Sequence, residues 1–366
     1  VSIGQSENFN GSASSSFAEN LGLGWFDGHG VLGVGLPAGK REAPKAFAFR
    51  LMRQRSVVIT NPICRASPER GIQIRVTYHK INPFDLSYAG FRFPIRGLGS
   101  SFAAMRLADT FAALKADHKK AFVAYVAAGD PTFDLSLEIM HALAEIGADV
   151  IELGLPFSDP LADGIVNQMA ADRALKAGMT TARTLELIRA FRKTNDKTPI
   201  VLFTYLNPIF TYGFGKFQKD AVEAGADGVL LLDLPPDEAS LSAELAENHG
   251  LSHIRLIAPS TPPERVKFLA QQAEGFIYAL SRSGVTGGHS APAETIPAQV
   301  AAIKAHTDVP VCVGFGISNP EQAAMVAKSC DGVIVGSAIV KQVELHLTNP
   351  AQAVKDFTKP LIDAIR

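Results

Sequence analysis

Glu152 and Asp163 are the two residues whose type and setting most readily support acid–base chemistry. Glu152 interrupts an otherwise apolar run, Asp149-Val-Ile-Glu-Leu-Gly154, and Asp163 follows in a loop held by Pro156 and Pro160. A carboxyl group on an apolar strand that faces a cavity is desolvated, which raises its pKa and makes it a proton donor. Two carboxylates, one strand-borne and one loop-borne, suit acid–base work on a single substrate. The plainer reading of Glu152 is a buried salt-bridge carboxylate, and that of Asp163 is a loop turn residue. Asp159 reads as a residue that caps or bonds its own loop.

Glycine clusters are the second signal. They fall at Tyr278-Ala-Leu-Ser-Arg-Ser-Gly-Val-Thr-Gly-Gly288, at Gly314-Phe-Gly-Ile-Ser318 and at Gly336-Ser337. Glycines let backbone N–H groups approach an anion closely, and a helix start adds its positive dipole end, so these clusters point to phosphate. No Lys or Arg lies within 314–318 or 336–337, so such an anion would be held mainly by backbone dipoles. Other chemistries lack their residues. The histidines show no HxH or HExxH spacing, so no metal site is expected. Ser158 and Ser281 have no patterned histidine partner. Strand-end lysines for a Schiff base are absent, and Lys216 and Lys219 fall in a helix and read as solvated.

These residues need a scaffold that brings strand ends together. From Met105 onward, short apolar runs alternate with amphipathic helical stretches, the pattern of repeated βα units and a parallel sheet. Eight strands are expected, at Phe122–Val126, Asp149–Leu153, Ile200–Tyr205, Gly228–Leu232, His253–Ala258, Gly275–Ala279, Val311–Gly314 and Gly332–Val335. Helices follow, for example Leu135–Glu145, Phe217–Glu223, Glu238–Asn248, Pro263–Ala273 and Pro320–Lys328. Gly147, Gly225 and Gly250 sit just past helix ends, where a left-handed closing residue is needed. Eight such units over residues 105–366 predict an α/β fold, a (β/α)8 TIM barrel, whose active site lies at the carboxyl ends of the strands. The competing architecture is an open doubly wound sheet, but no GxGxxG follows the first strand.

Residues 1–104 differ. They carry a charge balance of +6 against −7 for the remainder, are rich in Gly and Ser, hold the single tryptophan, Trp25, and show no repeating pattern. Ser56–Thr60 and Ile72–Tyr78 read as isolated strands without consistent partners. This N-terminal extension is expected to be disordered or a gene-model artefact, and 105–366 to be the catalytic barrel domain. Near-neutral overall charge argues against nucleic-acid binding, and no apolar run is long enough to span a membrane. Three cysteines at no metal-like spacing read as reduced thiols, with Cys312 and Cys330 packed as small apolar groups, and the expected location is cytoplasmic.

From about Met105 to the C-terminus, the chain resembles the tryptophan synthase α subunit family. The resemblance rests on Ile151-Glu-Leu-Gly-Leu-Pro-Phe-Ser-Asp-Pro-Leu-Ala-Asp-Gly164 and Ser281-Arg-Ser-Gly-Val-Thr-Gly287. Ala128-Gly-Asp-Pro131, Asp233-Leu-Pro-Pro-Asp-Glu238 and Val313-Gly-Phe-Gly-Ile-Ser318 support it. It implies a lyase that cleaves indole-3-glycerol phosphate to indole and glyceraldehyde 3-phosphate, without cofactor or metal. In that role Glu152 is the acid–base and Asp163 bonds the indole N–H. Tyr125, Tyr278, Thr286 and Phe315 would contact the substrate, and Gly287, Gly316, Gly336 and Ser337 would hold the phosphate. Gly287–Pro297 would be a lid. The implied partner is a β subunit, which carries pyridoxal phosphate, in an α2β2 heterotetramer, and Tyr205-Leu-Asn-Pro-Ile-Phe210 matches the family's contact region. Two residues depart from the pattern: Ile165 stands where proline is usual, and Ala127 where threonine is common. The first puts the placing of Asp163 in doubt. The other functions left open are a different phosphate-binding barrel isomerase or synthase, and a non-catalytic activator of a β subunit.

Overall fold

The computed structural model describes residues 23–26, 31–35, 57–67, 71–80, 102–241, 250–281, 295–314 and 316–366. The chain divides into two compact units, Val1–Ile95 and Arg96–Arg366. The first holds a four-stranded antiparallel sheet of β1 (Leu23–Phe26), β2 (Val31–Gly35), β3 (Val57–Ser67) and β4 (Gly71–Lys80), in the order β1-β2-β4-β3. The two runs that looked isolated in the sequence fall largely in β3 and β4 and pair with one another, with a shift of register between Thr60 and Ile63. The rest of 1–101, where disorder is expected, lies outside the described residues.

The second unit is the barrel. Helix α1 (Phe102–Ala116), which runs across the expected boundary at Met105, precedes the first barrel strand, β5 (Ala121–Ala127). Then come α2 (Phe133–Glu145), β6 (Val150–Gly154), α3 (Ile165–Lys176), α4 (Thr181–Arg192) and β7 (Ile200–Thr204). These are followed by α5 (Leu206–Tyr212), α6 (Phe214–Ala224), β8 (Gly228–Leu231) and α7 (Pro236–Leu241). The second half holds β9 (Ser252–His253), β10 (Arg255–Ile257), α8 (Pro263–Gln271), β11 (Ile277–Leu280) and α9 (Thr295–Lys304). It ends with β12 (Val311–Gly314), α10 (Pro320–Ala327), β13 (Gly332–Val335), α11 (Ser337–Leu345) and α12 (Pro350–Asp363).

All neighbouring strands of the barrel are parallel, in the order β10-β11-β12-β13-β5-β6-β7-β8-β9. The eight expected strands are all present, and the fifth is split in two. β9 pairs with β8, and β10 pairs with β11. The chain changes partner at Ile254, so one interrupted strand closes the ring. Gly147 and Gly225, just past helix ends, adopt φ of +95° and +100°, as helix-closing residues do; Gly250 has φ +107°, and the residues before it, 242–249, lie outside the described residues.

Period-two alternation sorts the strand residues into two layers. Phe122, Ala124 and Val126 point outward with Ile151, Leu153, Ile200 and Leu202 into the layer beneath the helices. Val123, Val150, Val201, Leu230, Phe276, Cys312 and Ile334 point inward. Leu107, Phe111 and Leu114 of α1 pack onto that inner set. Helix α1 thus closes the amino end of the barrel with apolar side chains.

Polar groups finish this floor. Asp227, fully buried, accepts from Arg106 Nε at 2.8 Å, from Arg192 Nη2 at 2.7 Å and from the Ile200 N–H at 2.7 Å. Asp149 and Asp331 likewise accept the N–H groups of Phe122 and Val311, at 2.7 and 2.8 Å. Each of the three carboxylates satisfies an amide at the start of a neighbouring strand that would otherwise lack a partner.

Candidate functional site

With the floor sealed, the chemistry lies at the carboxyl ends. Glu152 is the third residue of β6, opposite Tyr125 of β5 and Val201 of β7. It belongs to the inward set and is 1% exposed, and its Oε1 has no hydrogen-bond partner among the described residues. Burial, reinforced by the negative charge of Asp163, pushes its pKa up to about 8. The salt-bridge reading of Glu152 is therefore set aside, since no cation meets this carboxyl among the described residues.

Asp163 is buried at the end of the loop that follows β6. The Tyr205 hydroxyl donates to its Oδ2 at 2.8 Å, and Asn167 Nδ2 donates to its Oδ1 at 3.4 Å. The Tyr205 hydroxyl in turn accepts the Ala162 N–H at 2.9 Å, and Gln168 Nε2 donates to the Asp163 carbonyl at 2.8 Å. Burial raises the Asp163 pKa above the ordinary value, and the Tyr205 and Asn167 bonds offset part of that rise. The exchange of proline for Ile165 has not freed this residue. Asp159, by contrast, is exposed and accepts from its neighbour Ser158 at 2.5 Å, a bond within its own loop as read from the sequence.

Two tyrosines flank the carboxylates. Tyr125 packs edge-on against Phe203, with ring centroids 5.2 Å apart. Tyr125 and Tyr278 both have pKa values raised by burial and then by the charges of Asp163 and Glu152, so the four groups share one space. Glycine makes room for the ring ends. A Cβ at Gly154 would lie 2.3 Å from the Tyr125 hydroxyl, and one at Gly314 would lie 2.8 Å from that of Tyr278. Any larger residue at either position would displace a tyrosine.

The expected phosphate residues divide between described and undescribed parts. Gly316 has φ +66°, and Gly336 and Ser337 begin α11, which follows β13. Thr286, Gly287 and Phe315 lie outside the described residues, as does the expected lid up to residue 294; its last three residues begin α9. Sequence reasoning missed Asn167 and took Tyr205 only for part of a partner-contact stretch. The available signal for Tyr205 was its place at the end of an apolar strand run, which faces the mouth in such a barrel. A cavity of about 480 Å³ between α8 and α9, lined in part by Pro259, Thr261, Gln299 and His306, lies apart from these carboxylates.

A closed (β/α)8 barrel with one carboxyl that retains its proton near neutral pH, beside a second that is hydrogen-bonded, defines an acid–base enzyme of the barrel class. The comparisons narrow this class. The family model described as tryptophan synthase alpha chain matches residues 111–362. The tryptophan synthase alpha chain of Opitutus terrae is 48% identical over 245 residues, covering 67% of this chain and 92% of that protein. The same protein of Desulfatibacillum aliphaticivorans is 48% identical over 260 residues, covering 70% and 98%. Among solved structures, tryptophan synthase subunit alpha from Legionella pneumophila aligns with a TM-score of 0.66 at 42% identity, covering 71% of this chain and 98% of that one. The chain belongs to the tryptophan synthase alpha chain family, and its activity is the lyase reaction of that subunit in tryptophan biosynthesis. The open doubly wound sheet and the other phosphate-binding barrel enzymes are thereby set aside.

Proposed function

We propose that Glu152 and Asp163 carry this reaction as a proton donor–acceptor and an electrostatic partner, on indole-3-glycerol phosphate held through its phosphate by the Gly316 and Gly336-Ser337 backbone. The observation that carries the assignment is the buried, unpartnered Oε1 of Glu152, on a carboxyl that keeps its proton up to about pH 8. Protonated Glu152 delivers its proton to C3 of the indole, which places a positive charge on the ring. Asp163, ionised and held by Tyr205 and Asn167, accepts the indole N–H and stabilises that charge. The Glu152 carboxylate then takes the proton of the hydroxyl on the carbon bonded to C3. That carbon becomes the aldehyde of glyceraldehyde 3-phosphate as the carbon–carbon bond breaks, and the bonding electrons return to the ring to give indole. Glu152 ends the cycle protonated as it began, and the indole ring serves as the electron sink. No cofactor or metal is required of this chain. The test is Glu152→Gln, which preserves shape and removes the titrating group. Cleavage is expected to fall by about 10²–10⁴-fold, and a variant that cleaves at the wild-type rate would remove Glu152 from the mechanism.

The partner reading rests on apolar exposure beside the site. Leu161 is 85% exposed and Ile165 67%, next to Asp163, while Phe210 is 57% exposed on α5, the helix that Tyr205 begins. We assign this surface to a pyridoxal-phosphate β subunit in an α2β2 assembly, in the cytoplasm. Co-elution of the chain with a β subunit, lost in Leu161→Asp, is the expected result; unchanged co-elution would place the contact elsewhere.

A further inference from the structure

We infer that Asn167 is a positioning residue for the cleavage reaction, its side-chain amide fixing the rotation and the charge of the Asp163 carboxylate. The inference rests on the assignment of Asp163 above and adds the residue through which that carboxylate is held. Asn167 lies in the first turn of α3 and is 7% exposed. Its Nδ2 donates to Asp163 Oδ1 at 3.4 Å, while its own carbonyl oxygen is buried without a hydrogen-bond partner among the described residues. An amide left half-satisfied is a poor packing unit, because leucine would fill a similar volume without desolvating a carbonyl. The donor half is the useful half, and Asp163 receives it.

The start of α3 supports the same conclusion. Ile165 occupies the first helical position, where a proline ring would preset the backbone. Isoleucine cannot do this, and side-chain bonds tie the loop to the helix. Gln168 grips the Asp163 carbonyl and so fixes where the main chain lies. It leaves the carboxylate free to rotate. Tyr205 on one oxygen and Asn167 on the other restrict that rotation to a single setting. The titratable groups facing Asp163 are Glu152 from β6, Tyr125 from β5, Tyr205 after β7 and Tyr278 from β11. None is a cation, so among the described residues the two donors are what offset the burial of the charge.

The test is the pH profile of kcat/KM for indole-3-glycerol phosphate cleavage by the full chain and by three variants, Asn167→Leu, Asn167→Asp and Asp163→Asn, each with its melting temperature. Loss of one donor is expected to move the acid limb of Asn167→Leu up by about half a pH unit or more. Its kcat below that limb should fall about threefold or more, as a half-unit shift on a limb of unit slope requires, with KM little changed and the melting temperature maintained. Asn167→Asp sets a second carboxylate against the first, so its limb should move further. Should leucine overfill the site and lower the melting temperature, Asn167→Ala is read on the same limb. A limb that coincides with the wild type in both apolar variants overturns the inference, provided Asp163→Asn has lost cleavage. Wild-type cleavage by Asp163→Asn would instead overturn the assignment of Asp163 itself.

Discussion

The two ends of the barrel each bury a carboxylate, and they treat it in opposite ways. At the amino end Asp227 has two arginines and a backbone N–H within 2.8 Å, yet burial still lifts its pKa to about 6. At the carboxyl end Glu152 has an oxygen with no partner and a second carboxylate as its electrostatic neighbour. The first arrangement spends its hydrogen bonds on holding strands, because both carboxylate oxygens already accept from buried donors at the sealed end of the barrel. The second leaves a proton held by low polarity and by the neighbouring negative charge of Asp163, which is the condition for handing it to carbon. The lesson is that burial alone does not mark a catalytic acid; the marker is burial without provision.

Exchanging the acid for its amide at each end should separate the two roles. The largest effect expected is on catalysis in Glu152→Gln, the loss given above, with the cooperative melt retained. Asp227→Asn should do the reverse. It leaves two arginines facing a neutral amide and should lower stability on the order of 3 kcal/mol, while kcat at temperatures where the variant is folded stays near wild type. Denaturant unfolding together with initial rates measures both. A large kcat loss in folded Asp227→Asn would erase the distinction between the ends.

A smaller effect is expected in the pH dependence of stability. The folded Glu152 carboxyl holds its proton up to about pH 8, whereas the ordinary value for a free glutamate carboxyl is 4.5. Folding therefore takes up a proton between these values, and stability falls as pH rises through that window. The contribution is intact below 4.5 and fully lost above about 8. Glu152→Gln has no such group, so its melting temperature should exceed that of the wild type most at pH 8.5 and least at pH 4.5. A gap that does not vary with pH would mean that Glu152 is ionised in the folded chain.

Much of this was legible in the sequence because a parallel sheet covered on both faces reads as plain apolar runs. Glu152 stood out since it broke one of those runs, and Asp163 since it closed a loop between prolines and glycine. The split of the fifth strand left no such trace. His253 to Ala258 reads as one strand, and its change of partner at Ile254 is imposed by ring closure rather than by local preference. Asn167 was hidden for a related reason, as a polar residue in a helix reads as solvent-facing until the neighbouring loop is folded over it. The floor carboxylates had a signal that was overlooked: Gly-Ala-Asp occurs at 147–149 and again at 225–227, and in both the aspartate caps a neighbouring strand. Pairing of β3 with β4 had a signal in Pro68 and Gly71, turn residues that stand directly between the two runs.

The interrupted fifth strand has one further consequence. A cylinder of continuous hydrogen bonds has no preferred place to come apart, but this one has a seam, where β9 is bonded to one neighbour and β10 to another. Thermal breathing of the wall should begin at that stave. Glu152 sits three strands away along the sheet, on β6. Water admitted through the seam would thus enter three strands away from the proton-bearing wall, and the first loosening of the barrel would not open beside Glu152.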